Sequence, residues 1–423
     1  MLESSNIARM KVFKFGGASV NSADRIANVA QILKKYSGEK LVVVISAMGK
    51  TTNALEEVVH AYYKGDQQGA LQAFEQIKQQ HKELAAELQA NAACLNDFFT
   101  EVEWLLHDKP VRPFNYYYDQ VVCVGELLST AIISDYLNKQ GLANTWMDVR
   151  DIMRTDNNFR DARIDWTVTG EKVQQLVLPT FSNNHIVITQ GFIGATDENE
   201  STTLGREGSD YTAAVFANLL NAESQTIWKD VPGVMNADPK LYSEAKWIKE
   251  LSYREVIEMA YYGAQVIHPK TIKPLQNKNI PLLVRSFLHP DEPGTVIQNQ
   301  SAAHLPPIIV YKFNQVLIEL TSKDYSFVSE GLNYEVYKIF KELKFKPNLT
   351  QNAAISMLRI VDDIPEKVES FALEATRFFD VQVTKSLTLL TIRHYTPEII
   401  EQLIGTKSVL LKQQTKETIQ VLL

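Results

Sequence analysis

Cysteine is nearly absent from this chain: Cys94 and Cys123 are the only two in 423 residues. That is too few for a disulfide framework and fits a reducing compartment. No apolar run approaches membrane-spanning length, so no membrane span is expected. Residues 1–9 lack the apolar centre of a signal peptide. They read as a tail, with Met10 as an alternative start, and the expected location is the cytoplasm. Positive charge is in deficit, 43 Lys and Arg against 50 Asp and Glu, for a net −7 and a pI near 5.7. That balance excludes a chain whose main task is gripping nucleic acid or an anionic membrane. The eight histidines show no metal-ligand spacing, and no G-x-G-x-x-G follows a predicted strand. Gly49-Lys50-Thr51 imitates the end of a P-loop, but the leading glycine of that motif would fall at Val44, inside an apolar strand.

What is present suits two or three domains. Short apolar runs at 11–15, 41–45, 186–189, 224–228 and 281–284 read as strands. Helical periodicity occupies 26–33, about 54–107, 125–139, 211–220 and 253–260, with Asn21 or Ser22 available to cap the first. This β–α alternation predicts an α/β sheet covered on both faces. A proline-rich joint at 289–307 marks a boundary. Beyond it come a strand at 316–321, a helix at 329–343, strands near 345–349 and 355–361, and a helix at 365–379. Strands at 381–383 and 387–393, a helix at 397–403 and two final strands complete a weak repeat of a ferredoxin-like unit.

Two segments carry the chemistry. Lys14-Phe15-Gly16-Gly17 ends the first strand, and Gly205-Arg206-Glu207-Gly208-Ser209-Asp210 opens a later helix. A strand-to-helix turn points backbone N–H groups and the helix dipole at an anion. The first segment adds a lysine, the second an arginine and an aspartate. A second polar loop, 46–53, follows the next strand, and parallel strands deliver such loops to one sheet edge. The combination points to phosphoryl transfer. His268, before Pro269, reads as structural rather than as a general base.

Eight segments in order resemble the aspartate kinases of the amino acid kinase superfamily: KFGGASV (14–20), VISAMGKTTNAL (44–55), GE (125–126), RTDNNFRDARID (154–165), TQGFIG (189–194), TTLGREGSDYTAA (202–214), WKDVPGVMNADPK (228–240) and YGAQVIHPKTI (262–272). The resemblance implies an amino acid kinase fold over 10–300, a three-layer α/β domain with an open, mainly parallel sheet. Tandem or interleaved ferredoxin-like α+β ACT domains are implied over 308–423. The implied activity is phosphorylation of the L-aspartate side-chain carboxylate by ATP with Mg²⁺. By resemblance Lys14 neutralises the phosphoryl oxygens, Asp210 orients Lys14, and Gly16 and Gly17 let backbone N–H groups approach. Arg206 is implied for the substrate's α-carboxylate and Glu126 for its ammonium, with Ser46, Thr52, Phe192 and Ser209 around them. Asp230, Met235, Lys240 and Gln265 fall in the nucleotide segment.

Departures from the family pattern concentrate there. Lys229 stands where threonine is frequent, Met235 for tyrosine, Lys240 for arginine, and Gln265 for lysine or arginine. A phosphate-binding cation relocated from position 265 to Lys229 would account for the exchange. Glu207 stands where many relatives carry glycine. In the ACT region the resemblance implies an amino-acid effector, threonine or lysine, near Asn348, Gln351 and Asn352, and a homodimer. Asn348, Ala353 and Ala354 replace acidic and hydroxyl residues of lysine-inhibited relatives, which leaves threonine or no effector open. Another carboxylate kinase of this fold, or a silent amino-acid sensor, are the competing readings.

Overall fold

A computed structural model describes residues 10–300, 304–324 and 327–423; the expected tail, 1–9, lies outside them. The chain divides into two compact units. One comprises the described residues of Met1–Val234, Trp247–Ile257 and Gln265–Ala303, the other those of Met235–Lys246, Glu258–Ala264 and His304–Leu423.

The strands of the first unit are β1 (Met10–Phe15), β2 (Lys40–Ile45), β3 (Asn144–Met147), β4 (Ile186–Gln190), β5 (Ile193–Ala195), β6 (Ser201–Thr203), β7 (Ser224–Lys229), β8 (Glu250–Ser252), β9 (Leu282–Ser286) and β10 (Thr295–Gln298). Eight form one sheet in the order β3-β4-β2-β1-β7-β9-β10-β8, and β5 pairs with β6 in a separate hairpin. The run from β3 to β9 is parallel, and β10 reverses direction against β9. Strand β2 is apolar and buried from Leu41 to Ile45, as fits a strand with helices over both sheet faces. Phe15 stacks on Trp228 at 5.9 Å between centroids, tying β1 to β7 beneath the helices. Ser22 is the cap of the helix Ala23–Lys34, accepting from Arg25 N–H at 3.4 Å.

The predicted helical stretch 54–107 resolves into Thr51–Tyr63, Gln67–Glu87 and Asn96–His107. Asp66 starts the second by accepting from Gly69 N–H. The expectation about apolar runs needs correction. Helices Phe114–Val122 and Val124–Lys139 follow one another directly. Together Phe114–Lys139 are long and apolar enough to span a membrane by length and composition, with mean hydropathy 1.3 over their most apolar 18-residue window, yet 83% of that window is buried inside the protein. It is core, not a free apolar surface.

In the second unit β11 (Ile308–Ser322), β12 (Pro347–Asn352), β13 (Ser356–Asp362), β14 (Phe379–Arg393), β15 (Leu411–Gln414) and β16 (Thr418–Leu422) form one antiparallel sheet, ordered β12-β13-β11-β14-β16-β15. Helices Glu330–Glu342 and Pro365–Ala375 enclose one core with Val316, Ile318, Met357 and Phe371. Helix Pro397–Leu403 encloses another with Leu390, Ile392, Ile419 and Val421. The expected strands at 381–383 and 387–393 are a single strand, and the strand expected from 316 begins at Ile308. Lys312, Asn314 and Gln315 on one strand and Gln382, Thr384, Lys385 and Ser386 on the other interrupt the apolar pattern, while the pairing resumes on either side. Asn314 (φ 52°) and Ser386 (φ 63°) kink the two strands there, where their register shifts.

Candidate active site

Strand alternation decides where Lys14 points. Phe13 and Phe15 enter the core on one face of β1, so Lys14 emerges on the other. The helix Gly208–Leu219 lies on that side, with Asp210 in its first turn. Lys14 Nζ sits 2.8 Å from Asp210 Oδ1, in the geometry of an ion pair rather than an aligned hydrogen bond. Gly16 leaves room for this ammonium, since a Cβ there would lie 3.3 Å from Lys14 Nζ. At Gly17 a Cβ would meet the Ala47 carbonyl oxygen at 2.7 Å. Gly17 therefore lets the two loops close on one another, sealed by Gly49 N–H donating to Gly17 O at 3.1 Å. Gly49, Lys50 and Thr51 serve this junction and the start of a helix. They form no P-loop.

Glu207 precedes the helix with φ 54°, the left-handed conformation glycine adopts freely. Its carboxylate compensates by accepting from His268 N–H at 2.8 Å. His268 in turn caps the helix Pro269–Asn277, its Nδ1 accepting from Lys270 N–H at 3.1 Å, which gives it the structural role the sequence suggested.

Glu126 lies in the first turn of Val124–Lys139 and is 2% exposed. Its Oε1 accepts from Ala47 N–H at 3.3 Å, while Oε2 has no hydrogen-bond partner among the described residues. Burial pushes this carboxyl up to about 8, against the pull of the Ala47 N–H and of Lys14. A buried carboxyl with an unused oxygen is suited to receive a cation.

A cleft of about 510 Å³ collects Lys14, Ser46, Thr52, Glu126, Phe192, Arg206, Ser209, Asp210 and Lys229. Arg206 is exposed and makes no ion pair or hydrogen bond with another described residue. Lys229, at the end of β7, donates through Nζ to Val266 O at 2.7 Å. Its ammonium therefore lies beside the segment that carries Gln265. Gly16, Gly17, Asp230 and Gln265 do not line the cleft, and Asp230 and Gln265 are exposed. Met235 and Lys240 belong to the second unit.

Sequence reading missed three cleft residues, Tyr118, Arg160 and Thr203, and the group behind them, Asp119. Asp119 is fully buried and accepts from Arg160 N–H (3.0 Å), Thr203 N–H (2.8 Å) and Thr203 Oγ1–H (2.8 Å). Burial raises it to about 6 despite those bonds. A lone acid inside the aromatic and apolar run 114–124 was the available signal, because such a charge is buried only with partners. Arg160, Phe192 and Glu207 all line the cleft with positive φ. Strain of on the order of 1–3 kcal/mol per residue gathers at sites that use it.

In the second unit the expected effector residues are engaged internally. Asn348 Oδ1 accepts from Lys312 Nζ (2.7 Å), and its Nδ2 donates to Gln315 Oε1 (2.7 Å) and Asp362 Oδ1 (2.8 Å). Gln351 O and Asn352 Oδ1 accept from the buried Arg359.

Residues 9–286 match the model of the amino acid kinase family. The chain belongs to that family. Within it, the chain is 31% identical over 396 residues to lysine-sensitive aspartokinase 3 of Escherichia coli, covering 91% of this chain and 87% of that protein. It is 36% identical over 300 residues to a chloroplastic bifunctional aspartokinase/homoserine dehydrogenase of Arabidopsis thaliana, spanning 68% of this chain but about a third (32%) of that relative's length. The crystal structure of E. coli aspartokinase III with aspartate and ADP superposes with a TM-score of 0.83 at 27% identity, over 98% of this chain and 96% of that one. The lysine and aspartate complex of the same enzyme gives 0.80 over the same shares. The chain is thus an aspartokinase-family amino acid kinase with an ACT-like C-terminal sheet.

Proposed function

We propose that this aspartokinase-family chain transfers the γ-phosphoryl group of ATP to the side-chain carboxylate of L-aspartate, the first step of aspartate-family amino-acid biosynthesis. The observation that carries the reading is one cleft holding the Lys14–Asp210 pair, the unengaged Arg206 and the orphaned Glu126 oxygen. An amino acid with an α-carboxylate and an ammonium complements the last two. Arg206 binds the α-carboxylate with its planar fork, and Glu126 accepts from the ammonium. A side-chain carboxylate, with a reference pKa near ~4, is already an anion at neutral pH, so no general base is required. Its oxygen attacks the γ-phosphorus in line, the bond to the β,γ-bridging oxygen breaks, and ADP leaves with that electron pair. Lys14 offsets the repulsion between the two anions as charge shifts to the leaving oxygen. Lys229 is assigned to the nucleotide's phosphates.

Among the described residues no group of three or more His, Cys, Asp or Glu converges to hold a metal ion. Mg²⁺ would therefore enter with the nucleotide, held by phosphate oxygens and water. An ADP-release assay with aspartate, glutamate and acetylglutamate tests the reading. Turnover of aspartate alone supports it; turnover of another acceptor instead, or amino-acid binding without turnover, sinks it.

For the C-terminal unit we read an amino-acid effector role, with lysine, threonine or no effector as the outcomes to separate. A lysine ammonium seeks an acidic partner, and Asp362 is already 3.5 Å from Lys312 Nζ. Exposed apolar residues there, Tyr334, Tyr337 and Leu373 among them, suit a homodimer contact. Adding each amino acid to the assay tests the first, and sedimentation equilibrium the second. Cytoplasmic location follows from the same reading.

A further inference from the structure

Arg160 lines the cleft, and none of the roles above falls to it. Its backbone is fixed at φ 71°, where its N–H donates to buried Asp119 at 3.0 Å. From there the guanidinium lies over the Tyr118 ring, 4.1 Å from the centroid, and 5.8 Å from that of Phe114. Its Nη2 is 3.5 Å from Glu56 Oε1, an ion pair too long for a tight hydrogen bond. Glu56 stands one helical turn after Thr52 on Thr51–Tyr63, and so on the same face. That puts Arg160 on the side of the cleft built after β2, with Thr52, rather than on the β7 side that bears Lys229.

A guanidinium over an aromatic ring, with one nitrogen in a long ion pair, still has N–H donors at its edge for a ligand. With it, the amino-acid side of the cleft presents two guanidiniums, Arg206 and Arg160, and one carboxylate, Glu126. The complement is a zwitterion with two carboxylates and one ammonium.

We propose that Arg160 is a specificity-determining residue that binds a carboxylate of the amino-acid substrate, with Asp119 as the positioning residue that fixes its backbone. This rests on the aspartate reading above. The cleft thereby prefers a dicarboxylic amino acid over a neutral one.

Arg160→Gly is the informative variant, because glycine adopts φ 71° without strain and the fold should melt no earlier than wild type. Wild-type turnover of aspartate comes first; its absence would defeat the substrate reading and leave Arg160 out of the question. Given turnover, Arg160→Gly should raise the KM for aspartate about 10- to 100-fold, as expected for losing a charged hydrogen bond. The KM for ATP should stay put. Competition by asparagine, which keeps only the α-carboxylate, and by β-alanine, which keeps only the acceptor carboxylate, then assigns the contact. Weakened inhibition by asparagine alone places Arg160 on the α-carboxylate, and by β-alanine alone on the acceptor. An unchanged KM for aspartate, or an equal rise for ATP, overturns the proposal. Asp119→Asn should raise the KM for aspartate with kcat retained, and the rise should vanish in the Arg160→Gly background. Additive effects would remove Asp119 from it.

Discussion

Lys14 Nζ and Asp210 Oδ1, 2.8 Å apart, join the first strand of the kinase sheet to the first turn of the helix Gly208–Leu219. Both side chains are largely buried, so each charge depends on the other until an anionic ligand arrives. A pair held this way costs little to align at the moment of reaction.

Replacing Lys14 by Met should lower kcat by roughly 10²–10³ with a small change in the KM for aspartate. Asp210→Asn should also lower kcat, because it leaves Lys14 without its orienting charge. Steady-state kinetics beside a thermal melt check this. A loss confined to KM would show that Lys14 binds without stabilising the transferred group.

Glu126 makes aspartate binding pH-dependent. Burial pushes its carboxyl up to about 8 from an ordinary 4.5, so near neutrality it must lose a proton before receiving an ammonium. The KM for aspartate should fall as pH rises towards about 8 and level off above. Glu126→Gln should raise that KM and flatten its profile. The folded state holds this proton more tightly than the unfolded one. Its contribution to stability is therefore complete below the unfolded value and declines as pH rises through the interval up to about 8. Glu126→Gln should remove that decline in chemical denaturation.

Lys229→Ala should raise the KM for ATP well above any change in that for aspartate, given its ammonium in the cleft and at Val266 O. Equal, small changes in both constants would refute a relocated phosphate-binding cation.

Glu207 carries opposing terms, a left-handed backbone and a carboxylate bond to His268 N–H. Glu207→Ala loses the bond and keeps the strain. Glu207→Gly loses the bond and relieves the strain. The glycine variant should be about 1 kcal/mol more stable than the alanine one, and both less stable than wild type. Urea denaturation measures both differences.

The residues that form the cleft could be read from the sequence wherever a type and a position spoke together. Lys14 at a strand end, Asp210 in a first helical turn and Glu126 after a glycine are of that kind. Arg160 could not, because a non-glycine residue at positive φ leaves no compositional mark, and its ring partner Tyr118 sits on a different element. The parallel sheet emerged from its apolar runs, whereas β5, β6 and β8, each three residues long, are too short to show an alternation. The long strands of the second unit were cut in two by polar residues whose pairing is long-range. Lys312 pairs in register with Leu389, and no local pattern can announce that.

Those two strands, β11 and β14, bend together where Asn314 and Ser386 take up their positive φ, and each runs on into the other helical core. A chain cut at either bend would leave both cores short of a strand. The C-terminal unit cannot be divided into two self-sufficient modules, even though its sequence weakly repeats. The two cores are joined through two continuous antiparallel strands rather than through a loop.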